Sequence, residues 1–404
     1  MGHPIHACVA ILGLSLLTIG AESIGLRRRL ADETVFDVTK FGAKADKQTD
    51  DAMAMIKAWN AACKSTGAAK LVIPSGDFVS GPILLQGPCT AQQPITIEIQ
   101  GNLYALDDIS EFSDGAWIML AYINGFVVKG GGTINGRGDS LWEFMKGGSK
   151  DGPLLPVSLV FGNVQNGTMY DMNFVNSMGF HVKVTDSSNV ALWNLTITAP
   201  GSSPNTDGVH LSSSVNVSIT DSTIGTGDDC ISIGQGTENI TISGITCGPG
   251  HGISIGSLGK RPDETSLKGV SIKNCTLTGT TNGARIKTYH NSPVMEASSI
   301  VYQDIVMNQV KNPIVIDQHY DSKRKPEQSK VKISDVHFKN IKGTTISRVA
   351  VSLNCSSAVP CEGIELANID LVPYGSIGPL QSACSNAKFI STGNMNPASP
   401  TECV

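Results

Sequence analysis

Three carboxylates, a histidine, an arginine and a lysine sit in four short fragments of this 404-residue chain: Asn205-Thr206-Asp207-Gly208, Gly227-Asp228-Asp229-Cys230, Gly250-His251-Gly252 and Arg285-Ile286-Lys287. Clustered carboxylates suit acid–base cleavage of a glycosidic bond. That reaction needs one carboxylic acid to protonate the leaving oxygen and one carboxylate on the other side. Crowded like charges raise the pKa of one member, so the cluster retains a proton in mildly acidic solution. Aspartates beside glycine also occur as plain turn residues or calcium ligands. The spacing decides between these readings.

Asp207 and Asp229 are 22 residues apart, and Asp229 and His251 are again 22 apart. Each opens a similar phrase: Asp-Gly-Val-His-Leu, Asp-Cys-Ile-Ser-Ile and His-Gly-Ile-Ser-Ile. The form returns from Asn282 and Asn312, at spacings of 31 and 30 residues. A second phrase opens at Asn189, Asn216, Asn239 and Gly269, at spacings of 27, 23 and 30. Two interleaved strand phrases with this period predict an all-β solenoid, a right-handed parallel β-helix. Equivalent residues on adjacent coils then lie about 4.8 Å apart. The constellation is thereby stacked on consecutive coils, which turn chemistry alone does not explain.

Alternation assigns the faces. Val209 and Leu211, Ile231 and Ile233, Ile253 and Ile255, Ala284 and Ile286 point into the core. Between them His210, Ser232, Ser254, Arg285 and then Lys287 point outward, a basic stripe with small residues between. On the preceding coil Phe180, Val182 and Val184 are expected inside, with His181 and Lys183 outside. Strict alternation also aims Asp207, Asp229 and His251 inward. A bend just before Gly208, Cys230 and Gly252 must turn them out for the chemistry to work. Thr49 to Lys64 reads as a helix capped by Thr49, with Ala52, Ile56, Trp59 and Cys63 on one face. It is placed to close the open end of the solenoid, which otherwise exposes strand edges.

Bulk properties agree. Charged residues are 16% and aromatics 5%, against 43 glycines. That composition favours short strands and turns over helices. The net charge of −5, with no strongly basic block, speaks against a nucleic-acid partner. Residues 1–21 read as a secretory signal, 22–33 with Arg27-Arg28-Arg29 as a pre-domain segment, and 34–404 as one catalytic domain, with no membrane span. Of ten cysteines, Cys8 falls in the signal. Neighbours in sequence suggest disulfides Cys63–Cys89, Cys230–Cys247, Cys355–Cys361 and Cys384–Cys403, though eight cysteines admit many other pairings. Cys275 is left as a buried free thiol. No Cys-x-x-Cys or tight Cys/His cluster suggests zinc, and neither a metal nor a cofactor is expected. Six sequons, at Asn166, Asn194, Asn216, Asn239, Asn274 and Asn354, suit an extracellular chain. Arg137-Gly138-Asp139 spells an adhesion tripeptide, a match common by chance.

The four fragments, in this order and at these separations, resemble the polygalacturonases, glycoside hydrolase family 28. The resemblance runs from about Phe36 to the C-terminus and includes Gly131-Gly132-Thr133-Ile134-Asn135-Gly136, the Cys230/Cys247 pair and Tyr320. Wording such as Cys247-Gly248-Pro249-Gly250-His251-Gly252-Ile253-Ser254 is most similar to the pollen-type, exo-acting plant enzymes. The resemblance implies hydrolysis of α-1,4-linked galacturonan with inversion, by a secreted enzyme taken to be a monomer. It makes Asp228 the general acid, Asp207 and Asp229 the groups that hold and activate water, and His251 the partner of the acid. Arg285 and Lys287 are then expected to bind a substrate carboxylate, with Tyr320 lining the cleft and Asn205, His210 and Lys183 as further contacts. An endo-acting hydrolase, a pectate-lyase-like β-helix and a non-catalytic pectin-binding β-helix are the alternatives.

Overall fold

Every strand pairing in the structure, a computed structural model that describes residues 1–2, 33–145, 155–321, 327–400 and 403, is parallel. The apolar leader and Arg27-Arg28-Arg29 lie outside the described residues. Eleven strands, from Ile83–Gln86 to Gln381–Ser385, stack in chain order into one sheet, so each neighbour is the next coil. The remaining strands form a 19-stranded sheet over the other sides. The chain is a right-handed parallel β-helix. Among the described residues no helix is long and apolar enough to cross a membrane.

The register of the eleven-strand sheet follows the phrases. Val182, Val209, Ile231, Ile253 and Ala284 are paired coil to coil, each at most 2% exposed. Burying a Val or Ile side chain stabilises by about 1.5–3 kcal/mol, and a one-residue slip would expose the whole column. The outward partners run Lys183, His210, Ser232, Ser254, Arg285 in one column.

The required bend is present. The chain bends at Gly208, Cys230 and His251, just before the strands begin at Val209, Ile231 and Ile253. The residue that follows each outward-turned side chain faces the interior, and behind Asp207 and His251 that interior has no room for a side chain. A Cβ on Gly208 would lie 2.3 Å from Ile224 Cγ2, and one on Gly252, at φ +87°, 2.1 Å from the Asn282 carbonyl oxygen. The same bend corrects the expectation for the preceding coil. Phe180 occupies the place of Asp207 and turns outward, its ring 5.0 Å from that of His210. His181 takes the inner place and is 0% exposed. Its Nδ1 donates to the Asp207 carbonyl and its Nε2 accepts the Ser177 N–H, so it is not a substrate contact. Burial pushes it down to about 4, which keeps the ring neutral.

Two columns of left-handed residues mark the corners of the coil. Asn166, Asn189, Asn216, Asn239, Gly269, Ser299, Asp335 and Gly363 form one, with φ between 53° and 71°. Asp171, Asn194, Asp221, Gly244, Asn274, Asp304, Asn340 and Asn368 form the other, with φ between 47° and 69°. Only Gly and short polar residues adopt this conformation readily, which is why the second phrase opens on Asn or Gly. In the first column Asn189 donates to Asn166, Asn216 to Asn189 and Asn239 to Asn216, at 3.0, 2.9 and 2.6 Å.

The helix spans Ala52–Cys63, shorter than expected at its start. Thr49 and Asp50 belong to the strand Asp46–Asp50. The Asp50 carboxylate accepts the Ala52 N–H, while Asp51 is buried and accepts Lys44 N–H. Trp59 is fully buried and donates to the Gln86 carbonyl, which seats the helix on the first coils. All four disulfides form as paired in the sequence reading, and Cys275 is a buried free thiol. Arg137 is engaged with Asp107 and the Ala105 carbonyl rather than free as an adhesion motif.

Candidate active site

The bend brings Asp207 and Asp229 over the outward serines of the next coil. Ser232 Oγ donates to Asp207 Oδ2 at 2.6 Å, and Ser254 Oγ donates to Asp229 Oδ1 at 2.8 Å. The groups behind the two serines differ. His210 Nδ1 lies 2.8 Å from Ser232 Oγ. The single Ser232 proton points at Asp207, so His210 is the donor. Behind Ser254 stands Arg285, whose Nε donates to it at 2.9 Å. Arg285 Nη2 also reaches Asp229 Oδ1 at 2.7 Å, and Lys287 Nζ reaches Asp229 Oδ2 at 2.8 Å.

These partners set opposite charge states. Burial, and then the charges of Asp228 and Asp229, push the Asp207 carboxyl well above the usual range. Burial also pushes Asp229 up, but Lys287 and Arg285 outweigh it and hold this carboxyl below the usual range. One cation at about 4 Å is worth roughly 4 kcal/mol in a partly polar site, so two offset the several kcal/mol lost on desolvation. Both cations are held above their usual values, Asp229 outweighing their burial. His210 is pushed down to about 3 by burial, then by Lys183 and Lys287, so it serves Ser232 as a neutral donor.

Asp228 is the residue outside this symmetry. Its Oδ1 accepts the Asp229 N–H at 2.8 Å and faces His251 Nδ1 at 2.9 Å. Both contacts fall on one oxygen, which leaves Oδ2 for a substrate. Its side chain is 20% exposed and that of His251 38%, whereas Asp229 is 1% exposed. The most open carboxylate therefore has an uncommitted oxygen. The sequence reading gave the retained proton to Asp228, but the carboxyl that is raised is Asp207.

Tyr320 lines the same surface, with Lys287 Nζ 5.2 Å from its ring centroid. Asn205 is exposed on the turn before Asp207, at φ 50°. Lys183 lies one coil before His210 and is half-buried. Arg285 and Lys287 are not a free basic stripe, because Asp229 takes one donor from each. Their remaining N–H groups can still meet a ligand.

Sequence reasoning missed several supports. Ser232 and Ser254 were legible as outward positions but were read only as small. Thr206 Oγ1 accepts the Gly227 N–H at 3.1 Å and joins the turn of Asp207 to that of Asp228. Tyr289 packs edge-on to Tyr320 at 5.3 Å. Buried Tyr302 donates to the carbonyls of Ile253 and Arg285 from the opposite sheet, a contact no local pattern shows. Asp228, Asp229 and His251 each offer one ligand atom within 4.8 Å of the others. They do not fit a metal: Asp229 already faces two cations, and His251 Nδ1 is directed at Asp228.

A family model described as "Glycosyl hydrolases family 28" matches residues 63–398. A Nicotiana tabacum protein named polygalacturonase is 43% identical over 90% of this chain and 91% of its own. A Platanus acerifolia protein named exopolygalacturonase is 40% identical over 90% of this chain and 97% of its own. Among solved structures, the polygalacturonase from Erwinia carotovora superposes with a TM-score of 0.68 at 26% identity, covering 85% of this chain and 94% of that one.

Proposed function

The chain belongs to glycoside hydrolase family 28, and from that premise we propose how its cluster of carboxylates works. The protein is a polygalacturonase acting on pectin. Asp228 Oδ2 protonates the leaving glycosidic oxygen, with His251 fixing the other carboxylate oxygen. In the reacting form the proton of the cluster sits on Asp228, so Asp207 and Asp229 are both carboxylates: Asp229, held between Arg285 and Lys287, orients the attacking water, and Asp207 takes its proton as Asp228 gives its own to the leaving oxygen. The outcome is inversion, as the family implies. The observation that carries this reading is the geometry of the pair: Asp229 is clamped between Arg285 and Lys287, while neighbouring Asp228 faces His251 through Oδ1 and keeps Oδ2 open. Arg285, Lys287 and Tyr320 bind the sugar acid, with Asn205 and His210 as flanking contacts.

We further infer exo action, releasing galacturonate from chain ends, on the strength of relatives such as the one from Platanus acerifolia. Secretion is supported by the four disulfides. A single domain from about residue 34 onward is supported by the solenoid, and monomeric action by a site drawn wholly from one chain. The test is Asp228→Asn on polygalacturonate, which should lower turnover by a factor of about 10² or more. Monomer released from the outset supports exo action, and a ladder of oligomers supports endo action. A first-formed β anomer, seen by proton NMR, supports inversion; an α anomer or an ultraviolet-absorbing unsaturated product overturns it.

A further inference from the structure

The chain has four tryptophans. Three are buried and spend their indole N–H on a protein acceptor: Trp59 on the Gln86 carbonyl, Trp117 on Ser80 Oγ and Trp142 on the Met178 carbonyl. Trp193 is the exception. It points outward from the strand Ser188–Thr198 and is only half-buried. That strand belongs to the 19-stranded sheet, not to the eleven-strand sheet that carries the site. Among the described residues the Trp193 N–H has no partner. On the neighbouring coil Tyr170 stands in register with it, the two rings stacked at 4.6 Å and 8°. The Tyr170 hydroxyl is likewise unpartnered among the described residues. Such rings join an apolar face to a hydrogen-bonding edge, which suits a partner that is itself part apolar and part polar.

Beyond Trp193 along the solenoid there is space. Rings stacked coil on coil turn their planes across the axis, so one indole face looks toward the next coil. There the outward residue is Thr220, then Ser243, and only then a long side chain, Lys273. The parallel column runs Ala191, Ser218 and Thr241. The result is a shelf floored by short, mostly hydroxyl side chains. The indole walls one end, and an ammonium closes the other three coil steps away, roughly 14 Å at strand spacing. Lys273 is exposed and has no carboxylate partner among the described residues. Asp221 stands at the corner with Oδ1 over Gly244, outside both columns. A sugar ring has apolar C–H groups on its faces and hydroxyls around its rim, so it fits against the indole with the floor hydroxyls beneath it. The ammonium adds a preference for a sugar acid, on a protein whose net charge is −5.

We propose that Trp193, Tyr170 and Lys273 form a polysaccharide-holding surface, separate from the catalytic groove, that takes a stretch of galacturonan. The indole stacks on one sugar, and Lys273 pairs with an acid group further along. The surface does no chemistry; it keeps the enzyme on the polymer between cuts. The choice of galacturonan over a neutral polysaccharide rests on Lys273 and on the polygalacturonase reading above.

Trp193→Ala should slow hydrolysis of bead-bound polygalacturonate about tenfold. On soluble trigalacturonate its kcat and KM should stay within about twofold, because the trimer reaches the groove unaided. Trp193→Phe should restore most of the loss. In an Asp228→Asn background, which leaves the polymer uncut, electrophoresis through gels containing polygalacturonate should give the same tenfold rise in apparent Kd. Lys273 is exposed, so Lys273→Gln tests the surface even where Trp193→Ala fails to fold; its effect should be about threefold and should vanish at high salt. Equal loss on trimer and bead-bound polymer, or no loss on either, overturns the surface. Retardation by a neutral glucan that matches retardation by polygalacturonate overturns galacturonan as its occupant. Retardation needs no cleavage, so wild-type protein that is retarded yet releases no reducing ends overturns the polygalacturonase reading alone.

Discussion

Asp207 and Asp229 hold equivalent places on adjacent coils and accept from equivalent serines, yet burial drives one toward its neutral form and Lys287 and Arg285 hold the other charged. Their pH signatures must therefore be opposite. The native state binds the Asp207 proton more tightly than the unfolded chain, so its contribution falls as pH rises above the unfolded value of about 3.9. Asp207→Asn mimics the protonated group. It should abolish activity yet raise the denaturation midpoint at pH 7, with the gain fading below about pH 4. A lower midpoint at pH 7 would contradict the assignment. Asp229 contributes stability above that same unfolded value, lost as pH falls through its lowered native pKa. Asp229→Asn leaves Arg285 and Lys287 buried without an anion, and should cost about 3–5 kcal/mol at pH 7 in urea unfolding. The residues of this site were legible because they repeat in register. The charge of each was not, because it depends on Arg285 and Lys287, which are more than fifty residues from Asp229 in sequence and come from two coils on.

At the scale of the element, the bend before each strand is what makes an alternating sequence catalytic. It lifts Asp207, Asp229 and His251 out of the core, and at Gly208 and Gly252 it leaves no room for a Cβ. Gly208→Ala should push Ile224 and the Cys230 carbonyl apart, at about 1–3 kcal/mol in stability. It should also displace Asp207 enough to lower kcat about 10²-fold. Full activity in that variant would show that the bend tolerates a Cβ. Strand faces were readable from period two alone, and they failed where the bend interrupts the period: Phe180 and His181 exchange roles for the same reason that Asp207 works. The helix start was misplaced because Thr49 and Asp50 pair as a strand before the helix begins. The Asn-led phrase was visible as a repeat, but its cause, a left-handed corner, is a backbone property that only the folded chain displays.

Over the whole molecule, each coil contacts chiefly its neighbours, so stability is transmitted one coil at a time. Trp59 closes the first coils. Trp59→Ala should cost about 3–5 kcal/mol locally. In hydrogen exchange, the strands from Ala68 to Gln86 should lose protection while those from Val209 to Tyr289 keep theirs. Uniform loss along the chain would mean that the solenoid unfolds as one unit. The solenoid itself was foreseeable from spacing. The loop between Leu258 and Leu267 was foreseeable only as extra length, since where a loop folds back is set by contacts such as those of Glu264 with Gly259 and Gln235 with Thr265.

The corner columns also bear on how such a protein diversifies. Because each turn of the chain is reset by its own Asn, Asp or Gly, residues added between corners do not disturb the alignment of the next turn. The step from Asp229 to His251 takes 22 residues and the step from His251 to Asn282 takes 31, yet Ile231, Ile253 and Ala284 remain in line. Walls of the groove are thus free to be rewritten by insertion while the floor is inherited intact. Selectivity for one polymer over another can drift in the loops without the reacting groups ever having to be reinvented.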